Sequence, residues 1–443
     1  MNRNSQKTDP LYSDPNVMPP VAQAVPLGLQ HVLGMFASNV TPAIIVGQAA
    51  GLAFGSPDLV YLIQMAMLFA GVATIFQTIG IGPVGSRLPI MQGTSFAFVG
   101  VLSGVAATLG LGVALTACII GGIVHFCLGA VIKKLRWLFP PLVTGLVILA
   151  IGLYLIPVAI KYAAGGASVS QMEAESFGSL RHWSVALTVV IVTLAMKFYV
   201  KGPASNAGIL IGLLAGYALA FALSMVDFAP VARASWLSTI QPLPFGFEFH
   251  LGAVIAVTLV SIVSAVETVG DVSATAKAGA GRQATDAEIS GATYADGLGT
   301  AMAGLFGSLP NTSFSQNVGI VGMTGIMSRH VVTIAGIIMI VCGMVPKVGA
   351  VIAAMPLPVL GGGVIVMFGM VAAAGLNVLS EEKMTRRTMI IIAVSLTFGL
   401  GLNLVPTAVQ YLPDTIRVLA TSAVAPTAMM AILLNLILPK DVD

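Results

Sequence analysis

Read from its N-terminus, the chain alternates long apolar runs with short breaks made of glycine, proline and charge. About 20 apolar residues suffice to cross a hydrocarbon core as a helix. The breaks define fourteen expected spans, at 22–50, 58–80, 88–110, 112–132, 139–160, 182–200, 205–227, 250–275, 286–306, 310–327, 330–353, 357–378, 387–407 and 415–438. The third and tenth differ from the rest in being polar in their first third. In Leu88-Pro-Ile-Met-Gln-Gly-Thr-Ser95 and Leu309-Pro-Asn-Thr-Ser-Phe-Ser-Gln-Asn317, proline and the Ser/Thr/Asn run disfavour helix, while the apolar residues that follow support it. Each is expected to be an extended segment followed by a half-helix, although an ordinary kink or an interfacial loop would share the pattern. Non-helical backbone at membrane depth needs protein or a polar cavity to cover it, so the two segments are expected to face each other across a site. The N-terminal ends of the half-helices would then suit a carbonyl-rich or anionic ligand.

The pattern repeats at about half the chain length. Pro141, Gly145, Val147, Ile148 and Gly152 recur as Pro358, Gly362, Val364, Ile365 and Gly369 at an offset of 217. Leu88-Pro89 answers Leu309-Pro310 at an offset of 221, and Thr94-Ser95-Phe96 answers Thr312-Ser313-Phe314 at 218. Seven spans is an odd number, so a half-chain repeat enters the membrane in opposite senses, an arrangement found in secondary transporters.

Composition agrees with the pattern. Of 443 residues 57% are hydrophobic and 8% charged, where a soluble domain carries about 25% charge. A net charge of +3 excludes a nucleic-acid footprint. With both termini placed inside, fifteen Lys and Arg fall on the inner side (Arg3, Lys7, Arg87, Lys133, Lys134, Arg136, Lys197, Lys201, Lys277, Arg282, Arg329, Lys383, Arg386, Arg387, Lys440). Five fall outside (Lys161, Arg181, Arg233, Lys347, Arg417), a positive-inside bias that fits an even number of spans. Trp137, Trp183 and Trp236 sit at span ends or loops. Residues 1–21 read as a cytoplasmic tail without a signal-peptide pattern. Cys118, Cys127 and Cys342 lie apart inside apolar runs, with no spacing for a metal or disulfide.

The informative charges are the few kept within spans. Glu267 and Asp271 are four residues apart on one face of span 8, near Ser264 and Thr268. A carboxylate at bilayer depth must face a cavity, be paired or be protonated. Such an acid can accept hydrogen bonds from a ligand when charged and take up a proton when buried, the two tasks of a proton-coupled binding site. Asp271, nearer the cytoplasmic end, is equally open to a structural pairing, and Asp296 in span 9 to either structural hydrogen bonding or proton coupling. Gln30-His31 in span 1 and His125 in span 4 read as satisfied core groups. Arg87 and Arg329 flank the half-helix segments as positive-inside anchors, with gating the sharper alternative.

The segment Ser313-Phe-Ser-Gln316-Asn317-Val318-Gly319-Ile-Val-Gly-Met-Thr324 resembles the signature Gln-Asn-x-Gly-x-x-x-x-Thr of the nucleobase-ascorbate transporter family. The likeness extends to Gln30-His31, to Glu267-Thr-Val-Gly-Asp271 and to the Ala295-Asp296-Gly297 turn, over essentially the whole chain after the tail. It implies an all-α protein of fourteen spans in two inverted seven-span repeats. A core domain (22–135 and 250–354) would move against a gate domain (136–249 and 355–443), often within a homodimer. By the same resemblance Glu267 is the ligand-binding acid and Gln316 the amide that pairs with the base edge. Phe96 stacks on the base, Ser95 and Ser315 add neighbouring contacts, and Asn317, His31, Gly319 and Thr324 support the geometry. Asp296 resembles the acid needed for cation coupling.

Gln316 stands where uracil permeases have Glu and ascorbate transporters Pro, which favours xanthine or uric acid. Asp271 replaces the His of uracil permeases and is a candidate substitute in the proton route. The expectation is therefore an inner-membrane purine permease coupled to protons, with sodium not excluded. It needs no metal, cofactor or nucleic-acid partner and catalyses no reaction. A uracil permease of the same fold, an anion transporter on a related inverted-repeat fold and an intramembrane enzyme are the competing readings. An acid at Glu267 argues against the anion transporter, and no nucleophile or metal set supports the enzyme.

Overall fold

A computed structural model describes residues 14–439 apart from Phe139, Ala167 and Ser238. Arg3, Lys7, Lys440, most of the 1–21 tail and the first residue of the expected span 139–160 lie outside the described residues. The main elements are α1 (Val21–Ala49), α2 (Pro57–Ile79), β1 (Gln92–Thr94), α3 (Val99–Leu109), α4 (Leu111–Leu128), α5 (Pro141–Ala163), α6 (Leu180–Tyr199), α7 (Gly208–Ala222) and α8 (Leu251–Ala280). They continue with α9 (Asp286–Leu305), β2 (Asn311–Ser313), α10 (Ser315–Thr324), α11 (Arg329–Met344), α12 (Pro346–Ala353), α13 (Leu357–Leu379), α14 (Arg386–Leu404), α15 (Asp414–Ala420) and α16 (Val424–Ile437). Among the described residues eight helices are long and apolar enough to cross a membrane, namely α1, α2, α4, α5, α6, α8, α13 and α14.

Besides the third and tenth, two further expected spans are not continuous helices. The run 330–353 bends by 79° between α11 and α12. Val345 there is extended (φ −105°, ψ 100°) and Pro346, lacking an N–H, can only begin a new helix. The run 415–438 is broken between α15 and α16, where Ala423 adopts a left-handed φ of 60°. Ala295-Asp296-Gly297 is no separate turn but part of the uninterrupted helix α9.

Packing is paired in a regular way. The most extensive contacts are α5 with α13, α4 with α9 and α2 with α11, followed by α6 with α7 and α4 with α8. Close approach of α5 to α13 depends on small residues: a side chain at Gly152 would run into the Ala372 backbone, and one at Gly375 into Leu149. Helix ends are closed locally. Thr285 and Glu288 form a capping box at the start of α9, with Arg282 donating to Glu288 at 2.5 and 2.9 Å. Arg329 donates to the terminal carbonyls of α2, Thr78 at 2.8 Å and Ile79 at 3.0 Å, which satisfies groups the helix cannot bond itself.

Candidate functional site

The site begins with the strand pair. β1 and β2 run antiparallel in the register Gln92↔Ser313, Gly93↔Thr312 and Thr94↔Asn311. The ladder is extended by Ser95 N–H to the Pro310 carbonyl and Phe314 N–H to the Met91 carbonyl, both at 2.9 Å. Each strand leads into a helical segment: Ser95 caps the turn Phe96–Phe98 that continues as α3, and Phe314 precedes α10. Strands and caps thus correspond at an offset of 219 (311 − 92, and 314 − 95). The two Thr-Ser-Phe triplets, matched in sequence at 218, are one residue out of step, so Phe96 opens its helical segment while Phe314 lies just before α10.

Where the segments meet is a cavity of about 260 Å³. Its polar end is formed by Ser95 and Phe96 at the first helical start, Ser315 and Gln316 at the second, and Glu267 from α8. Its opposite wall is apolar, made by Ile148 and Ile151 of α5 with Met370, Val371 and Ala374 of α13. The first amides of α10 lack partners within their own helix and contribute positive potential at this end. The Phe96 ring stands edge-on to Phe368 of α13, with centroids 5.3 Å apart and planes at 85°. No Lys or Arg occurs among the described lining residues.

Behind the cavity the backbone is held by buried polar groups. Asp296 of α9, fully buried, accepts from Gln92 Nε2 and from Thr268 Oγ1 of α8. It also accepts from Ser313 N–H and Ser313 Oγ, both at 3.4 Å. One carboxylate therefore ties both strands to α8 and α9. From the other side Asn39 of α1 accepts from Thr94 N–H at 2.8 Å, donates to the Ala66 carbonyl of α2 at 3.1 Å and takes the Thr94 hydroxyl on its own carbonyl.

A family model described as a permease family matches residues 22–408. The chain belongs to the nucleobase-ascorbate transporter family. The uric acid permease PucK of Bacillus subtilis (strain 168) is 37% identical over 415 residues, covering 93% of this chain and 95% of that one. The xanthine permease of the same organism is 34% identical over 413 residues, covering 93% and 92%. Among solved structures, the transmembrane domain of the cyanobacterium bicarbonate transporter BicA matches with a TM-score of 0.60 over 94% of this chain and 98% of that one. At 13% identity that likeness concerns the fold alone. This permease is a transporter and not an enzyme.

The remaining expected site residues of the permease do not line the cavity. Asp271, one turn from Glu267, accepts from Ser315 Oγ at 2.8 Å, and its second oxygen has no partner among the described residues. Thr268 bonds Asp296 and neither acid of its own helix. Asn317 lies 3.1 Å from both the His31 ring Nδ1 and the His31 carbonyl, so α10 is fastened to α1 through its amide. Gly319 and Thr324 follow on α10, with Thr324 Oγ1 donating to the Ile320 carbonyl at 2.8 Å. His125, expected to be a satisfied core group, is instead buried with neither ring nitrogen bonded among the described residues. Sequence reasoning missed Asn39, Gln92 and Thr268 as holders of the strands. It also missed the wall of α5 and α13, whose apolar residues carry no signal distinguishing them from any lipid-facing position.

Proposed function

We propose that this permease imports a purine nucleobase, xanthine and/or uric acid, by proton symport across the inner (plasma) membrane. The observation that carries this reading is one cavity where a carboxylate, a primary amide and an aromatic ring face an apolar wall. Glu267 would accept from a ring N–H, Gln316 would donate to a ring carbonyl and accept from a neighbouring N–H, and Phe96 would cover the ring face. Ser95 and Ser315 flank these groups. The relatives named for uric acid and xanthine support a purine over uracil. The bicarbonate transporter shares only the fold, and a cavity lined by Glu267 without Lys or Arg favours a neutral or N–H-rich ring over a small anion.

The wider reading is fourteen spans in two inverted repeats with both termini cytoplasmic. The packing supports it: exchanging spans one to seven for eight to fourteen turns the contact of α4 with α9 into that of α11 with α2, and α5 with α13 into itself. A core of 22–135 and 250–354 would carry the polar end of the cavity past a gate of 136–249 and 355–443, within a homodimer. Protons enter the cycle through Asp271 or Asp296. The test is uptake of labelled xanthine and uric acid into proteoliposomes under imposed proton or sodium gradients, with uracil as competitor. Purine uptake driven by the proton gradient and indifferent to uracil is expected. No uptake of either purine, or uptake driven by sodium alone, would overturn the assignment.

A further inference from the structure

Gln92 is fully buried in β1. Its Nε2 donates to Asp296 Oδ1 and lies 3.4 Å from Ser313 Oγ, while its Oε1 is buried with no partner among the described residues. The amide is oriented by its neighbour, because turning it over would set its oxygen against a charged carboxylate oxygen. Once Asp296 carries a proton the preference reverses. The new O–H needs an acceptor, and the only amide atom that can accept is Oε1. A buried acceptor left unpaired is costly, so the proton on Asp296 removes the disadvantage of the turned amide. Gln92 is two residues from Thr94 and three from Ser95, at the entry to the helical start that carries Phe96.

We propose that Gln92 is a positioning residue that couples the protonation of Asp296 to the placement of β1, and through it to Ser95 and Phe96 at the cavity. This deepens the proton-symport reading above and rests on it for its role in transport. In the charged state Asp296 holds β1 through Gln92 Nε2 and β2 through Ser313. In the protonated state it donates to Gln92 Oε1, and the turned amide carries its N–H2 away from Ser313 Oγ into the place Oε1 held, so that β1 loses a tie to β2. The proton stays on the carboxyl and no covalent bond of the chain changes. On the elements packed against α9, Glu267 and Asp271 of α8 are the acids whose charge reaches Asp296; the other titratable groups there are Lys277 on α8, Cys118, His125 and Cys127 on α4, Asp58 and Tyr61 on α2, and Lys134 on the short helix Ile132–Leu135. β1, β2 and the α2 residues Thr74 and Gln77 present neutral groups.

The test compares Gln92→Met, which keeps the length of the side chain without its hydrogen bonds, with Thr268→Val, which removes the donor on the other carboxylate oxygen without touching β1. Full-length protein in proteoliposomes is assayed for xanthine and uric acid uptake across a pH series. Each variant should move the pH profile toward higher pH by about one to two units, because each loses a hydrogen bond to a charged carboxylate. Only Gln92→Met should also raise KM, at least about threefold. A Gln92→Met profile that falls in amplitude without moving makes the residue merely structural and overturns the proposal. If neither purine is taken up, the functional reading fails on its own, and pH-difference infrared spectra of the purified protein decide here. A protonated-carboxyl band absent from Asp296→Asn should move in frequency in Gln92→Met, and an unmoved band overturns the coupling.

Discussion

Glu267→Gln separates ligand binding from fold stability. Among the described residues no protein group hydrogen-bonds the Glu267 carboxylate, which lines the cavity and has the Asp296 carboxylate for a neighbour. The substitution keeps the shape, removes a charge that repels Asp296 and leaves no protein donor unpaired, so the melting temperature should hold or rise. Binding should respond in the opposite sense. A charge-assisted hydrogen bond to a ligand N–H contributes about 1.5–3 kcal/mol. At about 1.4 kcal/mol per tenfold, its loss weakens Kd by roughly 10- to 150-fold. Labelled xanthine and uric acid binding to purified protein gives Kd, and a thermal melt of the same sample gives stability. Asp271→Asn is the internal comparison: its carboxylate accepts from Ser315 rather than lining the cavity, so Kd should change by less than about threefold. A Glu267→Gln protein that binds both purines within about threefold of the parent, at unchanged stability, would refute the site. A protein that loses binding only because it no longer melts cooperatively would refute the account of Glu267 as free of structural duty.

Other substitutions probe the frame around the cavity. Asn39→Leu leaves the buried Thr94 N–H without its 2.8 Å partner and should cost about 1–3 kcal/mol, read as a lower melting temperature together with weaker purine binding. Gly297→Ala places a methyl group against the Phe126 and Gly122 backbones where α9 crosses α4, and should destabilise by at least about 1–3 kcal/mol in thermal melts, with little effect on the Kd of whatever folds. Phe96→Ala removes the ring that would cover the base and its contact with Phe368, and should weaken Kd by roughly 5- to 150-fold, whereas Phe96→Tyr should stay near the parent value.

The long helices were legible because hydropathy and length alone decide them: α1, α2, α5 and α13 begin and end within a few residues of the expected spans. The bend at Val345-Pro346 was readable in principle, since a proline inside an apolar run marks a break. Nothing in Thr421-Ser-Ala423 announces the left-handed alanine that divides α15 from α16. Glu267 stood out as an acid kept inside a span, whereas Gln316, Ser95, Phe96 and Ser315 took their roles from the family resemblance. Their supports did not, because Asn39 to Thr94, Gln92 to Asp296 and Thr268 to Asp296 join residues 55, 204 and 28 positions apart. One-dimensional spacing carries no trace of such partners.

In the sequence each of the three acids is a carboxylate retained at bilayer depth, with Asp271 and Asp296 left open to structural roles. Their surroundings make them chemically different. Among the described residues Glu267 has a cavity and no protein donor, which leaves its acceptor capacity for a ligand. Asp271 spends one oxygen on the Ser315 hydroxyl and keeps the other unpaired among the described residues, so it can respond to Ser315 at the cavity edge without touching what binds there. Asp296 has donors on both oxygens and no access to the cavity, so a change in its charge is felt first by the strands it holds. Hydrogen-bond supply thus orders the acids from ligand-facing to backbone-facing. Under the proposed proton symport, a proton entering at the backbone-facing end would alter the shape offered to the substrate instead of competing with it for the same oxygen atoms.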